Sequence, residues 1–498
     1  MQRSSGILMP VFSLPNDYGV GDFGKSSYNF IDFLSSAGQK FWQILPLVQT
    51  GFGNSPYSSV SSKSFSPYFI SIEKLCEQGL LTKEELEFSK YDGEYVSYGF
   101  LYNVRFPLLK KAFLRFDKED KSFTSFVKKG TARDYALFMS LKYANGQKHF
   151  YEWADKYKYR DRKALKKFEQ DYPEEVLFWQ FTQFIAQKQW KELKKYANEK
   201  GVSIIGDMPL YVALDSVDVW VNPSLYKLND HFVPKKVAGV PPDYFSKDGQ
   251  LWGNPVFDYS VHQKDGFKWW TNRIKEALTI YDYVRIDHFR GLDRYYEVEN
   301  GAENAREGEW VDVPSDELFE AIHKKVDKDR IIAEDLGIID DGVRELLKKT
   351  GYPGMKILSF AFDGQPDNLY LPQVLPENSV CYTGTHDNDT LMGLITNAND
   401  WDRGNLYNGV KNSLALMGIG LPVTSDETLA NAIIELGFAS KSNLFLIPMQ
   451  DVLLLKSDKR INEPGTVKAQ NWSVTFRKED FSKETAQKLK LLTKKYNR

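Results

Sequence analysis

The stretch from Tyr283 to Gly291 reads Tyr-Val-Arg-Ile-Asp-His-Phe-Arg-Gly, and its short apolar start ends on the carboxylate of Asp287. Two later stretches have the same form: Ile-Ile-Ala precedes Glu334, and Val-Cys-Tyr-Thr-Gly-Thr-His precedes Asp387. In a parallel α/β barrel the active site is assembled at the C-terminal ends of several strands. We therefore interpret the three stretches as strands of such a barrel that bring three acids to one site.

Short apolar runs alternate with helical stretches along the whole chain, a pattern typical of a parallel sheet. Eight of these runs are candidate strands: Gly6–Met9, Phe41–Leu45, Val202–Gly206, Tyr283–Ile286, Ile331–Ala333, Met355–Phe360, Val380–Tyr382 and Leu444–Ile447. Eight β/α units close a barrel. The sequence therefore predicts an α/β fold, a (β/α)8 TIM barrel with insertions at the C-terminal ends of the strands.

The predicted barrel occupies residues 1–498 as a single catalytic domain, because barrels with insertions can exceed 400 residues. Residues 65–198 are rich in Lys, Glu, Leu and Phe at helical spacing, which predicts a mainly helical insertion after the second strand. Residues 211–275 predict a second insertion, after the third strand, that forms a lid over the site. Within it, residues 241–255 have the composition of a loop throughout. From the fourth strand to the last we expect only modest loops.

The composition excludes several classes of partner. The net charge is −2 and the pI is about 6.4, so neither nucleic acid nor an anionic membrane is expected as a partner. No apolar run approaches the roughly 18–20 residues that a membrane helix needs. The two cysteines, Cys76 and Cys381, lie far apart and fit a reducing compartment. We expect a cytoplasmic protein that is a monomer or a homodimer.

Two motifs do not have the context that their usual functions require. Residues 19–24 match G-x-G-x-x-G, but the residues before them form turns, whereas a dinucleotide site needs a strand there. The six histidines include no His-x-His or His-x-x-x-His pair. A metal-dependent hydrolase that uses His386, Asp387 and His288 remains an alternative. The main prediction is an enzyme with no metal and no organic cofactor.

The residue pattern itself points to sugar chemistry, since cleaving a glycosidic bond needs one ionised carboxylate and one protonated carboxylic acid. Arg285 and Asp287 face the same side of a strand, and a neighbouring cation favours the ionised acid. A purely structural Arg–Asp pair is an equally good interpretation. Glu334 follows a buried run and faces Asp287, so burial and like charge should raise its pKa, as a general acid requires. Asp387 has a second interpretation as the cap of the next helix.

Together, three motifs resemble the active-site motifs of the amylomaltases, which are the 4-α-glucanotransferases or disproportionating enzymes of the wider α-amylase superfamily. They are Arg285-Ile-Asp-His-Phe-Arg-Gly, Ala333-Glu-Asp-Leu-Gly and Gly384-Thr-His-Asp-Asn. The resemblance extends from Ser13-Leu-Pro-Asn-Asp-Tyr to Arg460-Ile-Asn-Glu-Pro-Gly, nearly the whole chain. After Trp472 the chain departs from the family pattern, because it reads Ser-Val-Thr-Phe instead of Trp-Arg.

The resemblance implies a retaining enzyme that acts on maltooligosaccharides and α-1,4-glucans. It makes Asp287 the nucleophile, Glu334 the acid and base, and Asp387 the stabiliser of the transition state. Further residues implied to hold the nucleophile or to line the sugar subsites are Arg285, His386, Tyr57, Asp207, Trp252 and Asn462. The predicted lid presents the aromatic side chains of Tyr244, Phe245 and Trp252. A retaining α-glucan hydrolase and a catalytically silent glucan-binding protein remain alternatives.

Overall fold

The structure of the protein is a computed structural model that describes residues 2–51, 53–242 and 246–498. Its strands, in chain order, are β1 Ser4–Leu8, β2 Phe41–Gln43, β3 Ser203–Met208, β4 Lys236–Val240, β5 Gln250–Pro255, β6 Tyr283–Ile286, β7 Arg294–Glu299, β8 Gly308–Asp312, β9 Ile331–Ala333, β10 Gly354–Ile357, β11 Ser379–Tyr382 and β12 Leu444–Pro448. Eight of them form a closed parallel barrel in the order β1-β12-β11-β10-β9-β6-β3-β2. The predicted (β/α)8 barrel is confirmed, and its eight strands are the eight candidates with ends shifted by at most three residues.

The helices lie between the strands in the order expected of β/α units. They are α1 Lys25–Ser36, α2 Ile72–Glu77, α3 Lys83–Glu87, α4 Tyr98–Arg115, α5 Lys121–Lys129, α6 Arg133–Ala144, α7 Asp155–Lys158, α8 Arg162–Asp171, α9 Pro173–Glu199, α10 Val217–Val221, α11 Tyr259–Lys264, α12 Lys268–Ile280, α13 Ser315–His323, α14 Asp341–Thr350, α15 Leu391–Asn397, α16 Asp400–Leu416, α17 Asp426–Ala439, α18 Met449–Val452 and α19 Lys483–Lys495. In the described part of the chain, no helix is both long enough and apolar enough to cross a membrane.

The interior of the barrel is filled by side chains from alternate positions of the strands, as the two-residue period of a strand requires. These side chains are Leu8, Phe41, Ile205, Ile332, Met355, Ile357, Val380, Tyr382, Leu444 and Leu446. On β6 the outward positions are Val284 and Ile286, which join the larger core under the helices. Arg285 therefore faces inward, towards the mouth of the barrel.

In the described part of the chain between β2 and β3 lie the eight helices α2 to α9. The longest, α9, starts with Pro173 in its first turn, followed by Glu174 and Glu175, residues that favour a helix N-terminus. Its buried face carries Phe178 and Trp179, which pack in the aromatic core of this region. The division of the chain into a barrel and two insertions remains our proposal for its domain organisation.

The prediction that residues 241–255 are loop throughout is wrong. Residues 250–255 form β5, which pairs antiparallel with β4, and a four-stranded sheet of order β5-β4-β7-β8 results. The expected modest loops after the fourth barrel strand are also wrong, because β7 and β8 follow β6 directly. The reason is that β4 pairs with β7, Lys236 opposite Glu299, far away in the sequence. The turn just before β5 closes with a hydrogen bond from the N–H of Gly249 to the carbonyl of Ser246, and Gly249 has a φ of 66°, which glycine adopts readily.

Candidate active site

The barrel ladder sets the positions of two of the three predicted acids. The backbone N–H of Asp287 donates to the carbonyl of Met208 over 3.0 Å, and the N–H of Glu334 donates to the carbonyl of Ile286, also over 3.0 Å. Both hydrogen bonds continue the pairing of neighbouring strands one residue past their ends. Asp287 and Glu334 therefore stand next to each other at the C-terminal rim of the barrel, as the sequence predicted.

Arg285 lies at the centre of the site. Its Nη1 donates to both carboxylate oxygens of Asp207, over 2.7 and 2.8 Å, and lies 3.0 Å from Oδ1 of Asp287. Arg285 and Asp207 are each 3% exposed. One guanidinium thus holds two carboxylates, so the predicted contact between Arg285 and Asp287 is present. Asp207, which the resemblance placed in a sugar subsite, also orients Arg285.

Burial raises the pKa of Asp287, and the Arg285 guanidinium opposes this rise. The effect of Arg285 has the sign that the sequence predicts, but burial outweighs it. Asp287 keeps 26% of its side chain exposed, so solvent still reaches the carboxylate and limits the effect of burial. Asp287 therefore combines an open approach for substrate with a cation that favours its ionised form.

Glu334 has more enclosed surroundings, since the residue is only 9% exposed. Its Oε2 accepts the backbone N–H of His288 over 2.7 Å, and its Oε1 accepts the N–H of Leu336 over 2.9 Å. Burial raises the pKa of Glu334 and the charge of Asp287 adds to the rise, while Arg285 and the two N–H groups oppose it. The raised pKa agrees with the direction predicted for a general acid.

Asp387 lies on the loop that follows β11, and the chain after β12 holds it there. Asn462 donates from Nδ2 to Oδ1 of Asp387 over 2.7 Å, and Arg460 donates from Nη2 to the carbonyl of Asp387 over 2.6 Å. The alternative role as a helix cap is wrong, because the side chain of Thr390 caps α15. The Asp387 side chain is 45% exposed, so solvent reaches its carboxylate.

An aromatic cluster closes one side of the site. Tyr57 donates from its hydroxyl to Oδ2 of Asp207 over 2.6 Å, and its ring stacks on His386 with centroids 5.2 Å apart. Trp472 packs against both rings, at 5.7 Å from Tyr57 and 5.9 Å from His386. Burial lowers the pKa of His386, which keeps the imidazole neutral. Sequence reasoning missed Trp472, although the family resemblance departs from its pattern directly after this residue.

Trp252 lies on β5 and is 37% exposed. Its ring meets His288 edge to face with centroids 4.8 Å apart, and Tyr211 lies 6.1 Å from it. His288 thus lies between Trp252 and Glu334, because its ring contacts Trp252 and its backbone N–H binds the Glu334 carboxylate. Tyr244 and Phe245, the other aromatic residues of the predicted lid, lie outside the described residues.

The nine predicted site residues therefore fall into two connected groups. Direct contacts join one group: Tyr57, Asp207, Arg285, Asp287, His386, Asp387 and Asn462. Glu334 and Trp252 both contact His288, a residue that sequence reasoning named only as an alternative metal ligand. In residues 2–51, 53–242 and 246–498, no three His, Cys, Asp or Glu side chains are grouped in a way that would hold a metal ion.

Comparisons with known proteins cover nearly the whole chain. The family described as 4-alpha-glucanotransferase matches residues 9–480. A 4-alpha-glucanotransferase of Clostridium butyricum is 42% identical over 496 residues, which span 98% of this chain and 100% of the relative. One from Streptococcus pneumoniae is 40% identical over 504 residues, 100% of this chain and 98% of the relative. The structure of amylomaltase from Streptococcus agalactiae in complex with acarbose has a TM-score of 0.94 at 39% identity and covers 100% of both chains.

Proposed function

We propose a specific reaction for this chain, which belongs to the 4-alpha-glucanotransferase family. The enzyme transfers α-1,4-linked glucan segments from a donor maltooligosaccharide to a second maltooligosaccharide or to glucose, by a retaining double displacement. The observation that carries the mechanism is the difference between two neighbouring acids. Burial raises the pKa of both acids, but the Asp287 side chain is 26% exposed and lies 3.0 Å from the Arg285 guanidinium. Glu334 is enclosed, and among the described residues its carboxylate accepts hydrogen bonds from two backbone N–H groups. These are the surroundings that a nucleophile and a general acid need.

In the first half of the reaction, protonated Glu334 donates its proton to the glycosidic oxygen while the carboxylate of Asp287 attacks C1 of the sugar. The bond between C1 and the leaving oxygen breaks, and a covalent bond between C1 and Asp287 forms. The leaving sugar departs with a free 4-hydroxyl group. Asp387, held by Asn462, accepts hydrogen bonds from sugar hydroxyls and stabilises the positive charge that develops on the ring.

In the second half, ionised Glu334 takes the proton of the 4-hydroxyl of an incoming glucan, whose oxygen attacks C1 and releases Asp287. Two inversions at C1 retain the α configuration. No step requires a redox change or a Lewis acid, since side chains supply the nucleophile, acid and base. We therefore propose that the reaction needs no metal and no organic cofactor.

Arg285 orients the nucleophile, and Asp207 and Tyr57 orient Arg285. Buried, mutually bonded side chains of this kind lose little freedom on binding substrate, which favours a preorganised site. We propose that Trp252 and the strand that carries it cover the acceptor sugar and exclude water. Water, at about 55 M, otherwise competes with the acceptor, so transfer depends on positioning the 4-hydroxyl group.

Pure maltotriose separates transfer from hydrolysis. Chromatography of the product series should give glucose together with chains longer than maltotriose. Glucose and maltose alone would establish the hydrolase, and no turnover at all would support a silent glucan-binding protein. Activity that disappears in EDTA and returns with a divalent metal would favour the metal-dependent alternative.

The matched control is Asp287→Asn, which keeps the shape of the side chain but cannot form the covalent intermediate. It should retain its fold, measured by thermal unfolding, and lose more than about a hundredfold in transfer rate. A variant that keeps a larger fraction of the rate would remove Asp287 from the role of nucleophile.

We also propose a cytoplasmic location and a monomer or homodimer. Both Cys76 and Cys381 are free, which is compatible with a reducing compartment. Cell fractionation tests the location, and light scattering coupled to size-exclusion chromatography measures the mass of the assembly.

A further inference from the structure

His288 has a backbone conformation that few non-glycine residues adopt. Its φ and ψ are both 49°, in the left-handed region, where Asn, Asp and His are enriched and β-branched residues are strongly disfavoured. Such conformations persist at functional sites when the surrounding structure holds them. His288 follows Asp287 and starts the short turn Phe289–Leu292.

The left-handed turn points the N–H of His288 at the side chain of Glu334. The chain from Ile286 to Phe289 then binds Glu334 in three places. The carbonyl of Ile286 accepts the Glu334 N–H, the N–H of Phe289 donates to the Glu334 carbonyl, and the N–H of His288 donates to Oε2 over 2.7 Å. The first two bonds fix the backbone of Glu334, and the third fixes its carboxylate together with the N–H of Leu336, which donates to Oε1 over 2.9 Å.

The imidazole ring of His288 is wedged between the turn and the lid. A side chain at Gly291 would place its first carbon 2.9 Å from Cδ2 of His288, so the turn leaves no room behind the ring. On the other side, Trp252 meets the ring edge to face at 4.8 Å. Burial, with a smaller effect of Arg290, lowers the pKa of His288 to about 4, so the ring is uncharged. Its Nε2 is buried and has no hydrogen-bond partner among the residues that the structure describes.

We propose that His288 is a positioning residue with two separable parts: its left-handed backbone N–H sets the orientation of the Glu334 carboxylate, and its ring connects that backbone to Trp252 on β5. The proposal rests on the role of Glu334 as general acid and adds a link from the lid strand to that acid. Movement of Trp252 against the ring then reaches the proton donor through a single residue.

Two substitutions separate these parts. His288→Asn removes the ring, but asparagine adopts left-handed conformations readily, so the N–H stays directed at Glu334. His288→Val removes the ring and disfavours the left-handed conformation as well. Gln147→Val is the matched control for backbone strain, since Gln147 also has a positive φ, 65°, and lies exposed in the helical region between β2 and β3.

Without its N–H donor, ionised Glu334 is less stable and its pKa rises further. The charged or titratable groups near this carboxylate are Arg285, Asp287 and Tyr370. Because the acid must be protonated to act, the basic limb of the kcat profile should move to higher pH in His288→Val. We expect no such move in His288→Asn or Gln147→Val. A limb that stays in place in His288→Val, or moves equally in His288→Asn, overturns the proposal.

A comparison of two donor sugars supplies a second readout. Because both donors are tested on the same variant, a loss of folded protein lowers both rates equally. His288→Val should lower kcat on maltotriose about tenfold or more, the usual effect of one hydrogen bond to a charged group. Turnover of α-glucosyl fluoride, whose leaving group needs no proton, should fall much less. An equal loss on both donors contradicts the proposal. If His288→Val does not fold, His288→Ala replaces it, since alanine enters the left-handed region at a smaller cost.

The ring is tested by a double-mutant cycle between His288→Asn and Trp252→Ala. If the ring acts through Trp252, the double variant should lose little more transfer activity than either single variant. Fully additive losses overturn this part. Glu334→Gln with both donors distinguishes a failure of the underlying function: if that variant does not favour the fluoride, Glu334 is not the acid and the proposal falls with it.

Discussion

Replacing Arg285 with methionine should remove the only side-chain cation that we find on the two carboxylates of Asp207 and Asp287 among the described residues. Methionine has a similar length and no charge. The Asp207 side chain is fully enclosed, 0% exposed, and among the residues described here it would keep only the hydroxyl of Tyr57 as a side-chain partner. Removing one partner of a buried ion pair costs about 3–5 kcal/mol, because the other charge is left uncompensated. We expect a loss of unfolding free energy of that size.

The sign of the pH dependence follows from the pKa of Asp287. Burial already raises this pKa above its value in the unfolded chain, and Arg285 opposes the rise. Without Arg285 the pKa rises further. A carboxyl with a raised pKa in the folded state destabilises the fold once pH exceeds its unfolded pKa of about 3.9. Below the folded pKa of wild-type Asp287, about 7, this carboxyl is protonated in both folded proteins and contributes equally to their stability. The part of the stability difference between Arg285→Met and wild type that depends on Asp287 should therefore be large above about pH 7 and disappear below it.

Catalysis should follow the same change. The nucleophile must be ionised, so the acid limb of kcat/KM for maltotriose should move up by about one pH unit or more in Arg285→Met. Glucose release measured from about pH 5 to about pH 9 gives this limb, and thermal unfolding over the same range gives the stability difference. Arg285→Lys is the control: it keeps a charge but not the planar guanidinium, so its limb should move less. An unmoved limb in Arg285→Met, with a stability loss that does not depend on pH, would refute the assignment.

Three further predictions use the same maltotriose assay. Glu334→Gln should lose most activity on natural glucans yet still turn over glucosyl fluoride, and azide should restore turnover as the β-glucosyl azide; equal losses on both donors would exclude Glu334 as the acid. Asn462→Ala should lower kcat about tenfold to a hundredfold, because the 2.7 Å hydrogen bond to Asp387 is to a charged group; an unchanged kcat would show that Asp387 is held by other contacts. Trp252→Ala should raise the ratio of free glucose to longer glucans, whereas an unchanged ratio would make Trp252 structural.

The barrel was predictable because each of its strands has a local sequence signal, a run of apolar residues between helical stretches. Both Tyr283–Ile286 and Ile331–Ala333 have the predicted bounds. The small antiparallel sheet was not predictable in this way. Its strand β5 is mostly exposed, so it lacks the alternation of a half-buried strand. Its existence depends on β4 pairing with β7, a contact that no local pattern records.

The site was predictable where the two-residue period of a strand determines which side of the sheet a side chain faces. Arg285 and Asp287 lie two residues apart, so they face the same side whatever the rest of the fold does. The partner of Arg285 on β3 was not predictable from period alone, because it depends on the register of β3 and β6, which sets Asp207 opposite Arg285. The contact of His288 with Glu334 was not predictable for a third reason: the sequence named His288 only as an alternative metal ligand, and a left-handed φ at a residue other than glycine has no clear sequence signal.

The three acids are held in place in two different ways, so a structural change in one part of the fold should displace some of them and not the others. Main-chain hydrogen bonds between strand ends place Asp287 and Glu334, so their spacing changes only if the barrel itself changes. Asp387 lies on a loop and depends on Asn462 and Arg460. Displacement of the segment that carries Asn462 and Arg460 should therefore weaken transition-state stabilisation and leave the pair of nucleophile and acid intact. In the proposed mechanism, the chemistry at C1 and the stabilisation of the sugar ring therefore depend on different elements of the fold.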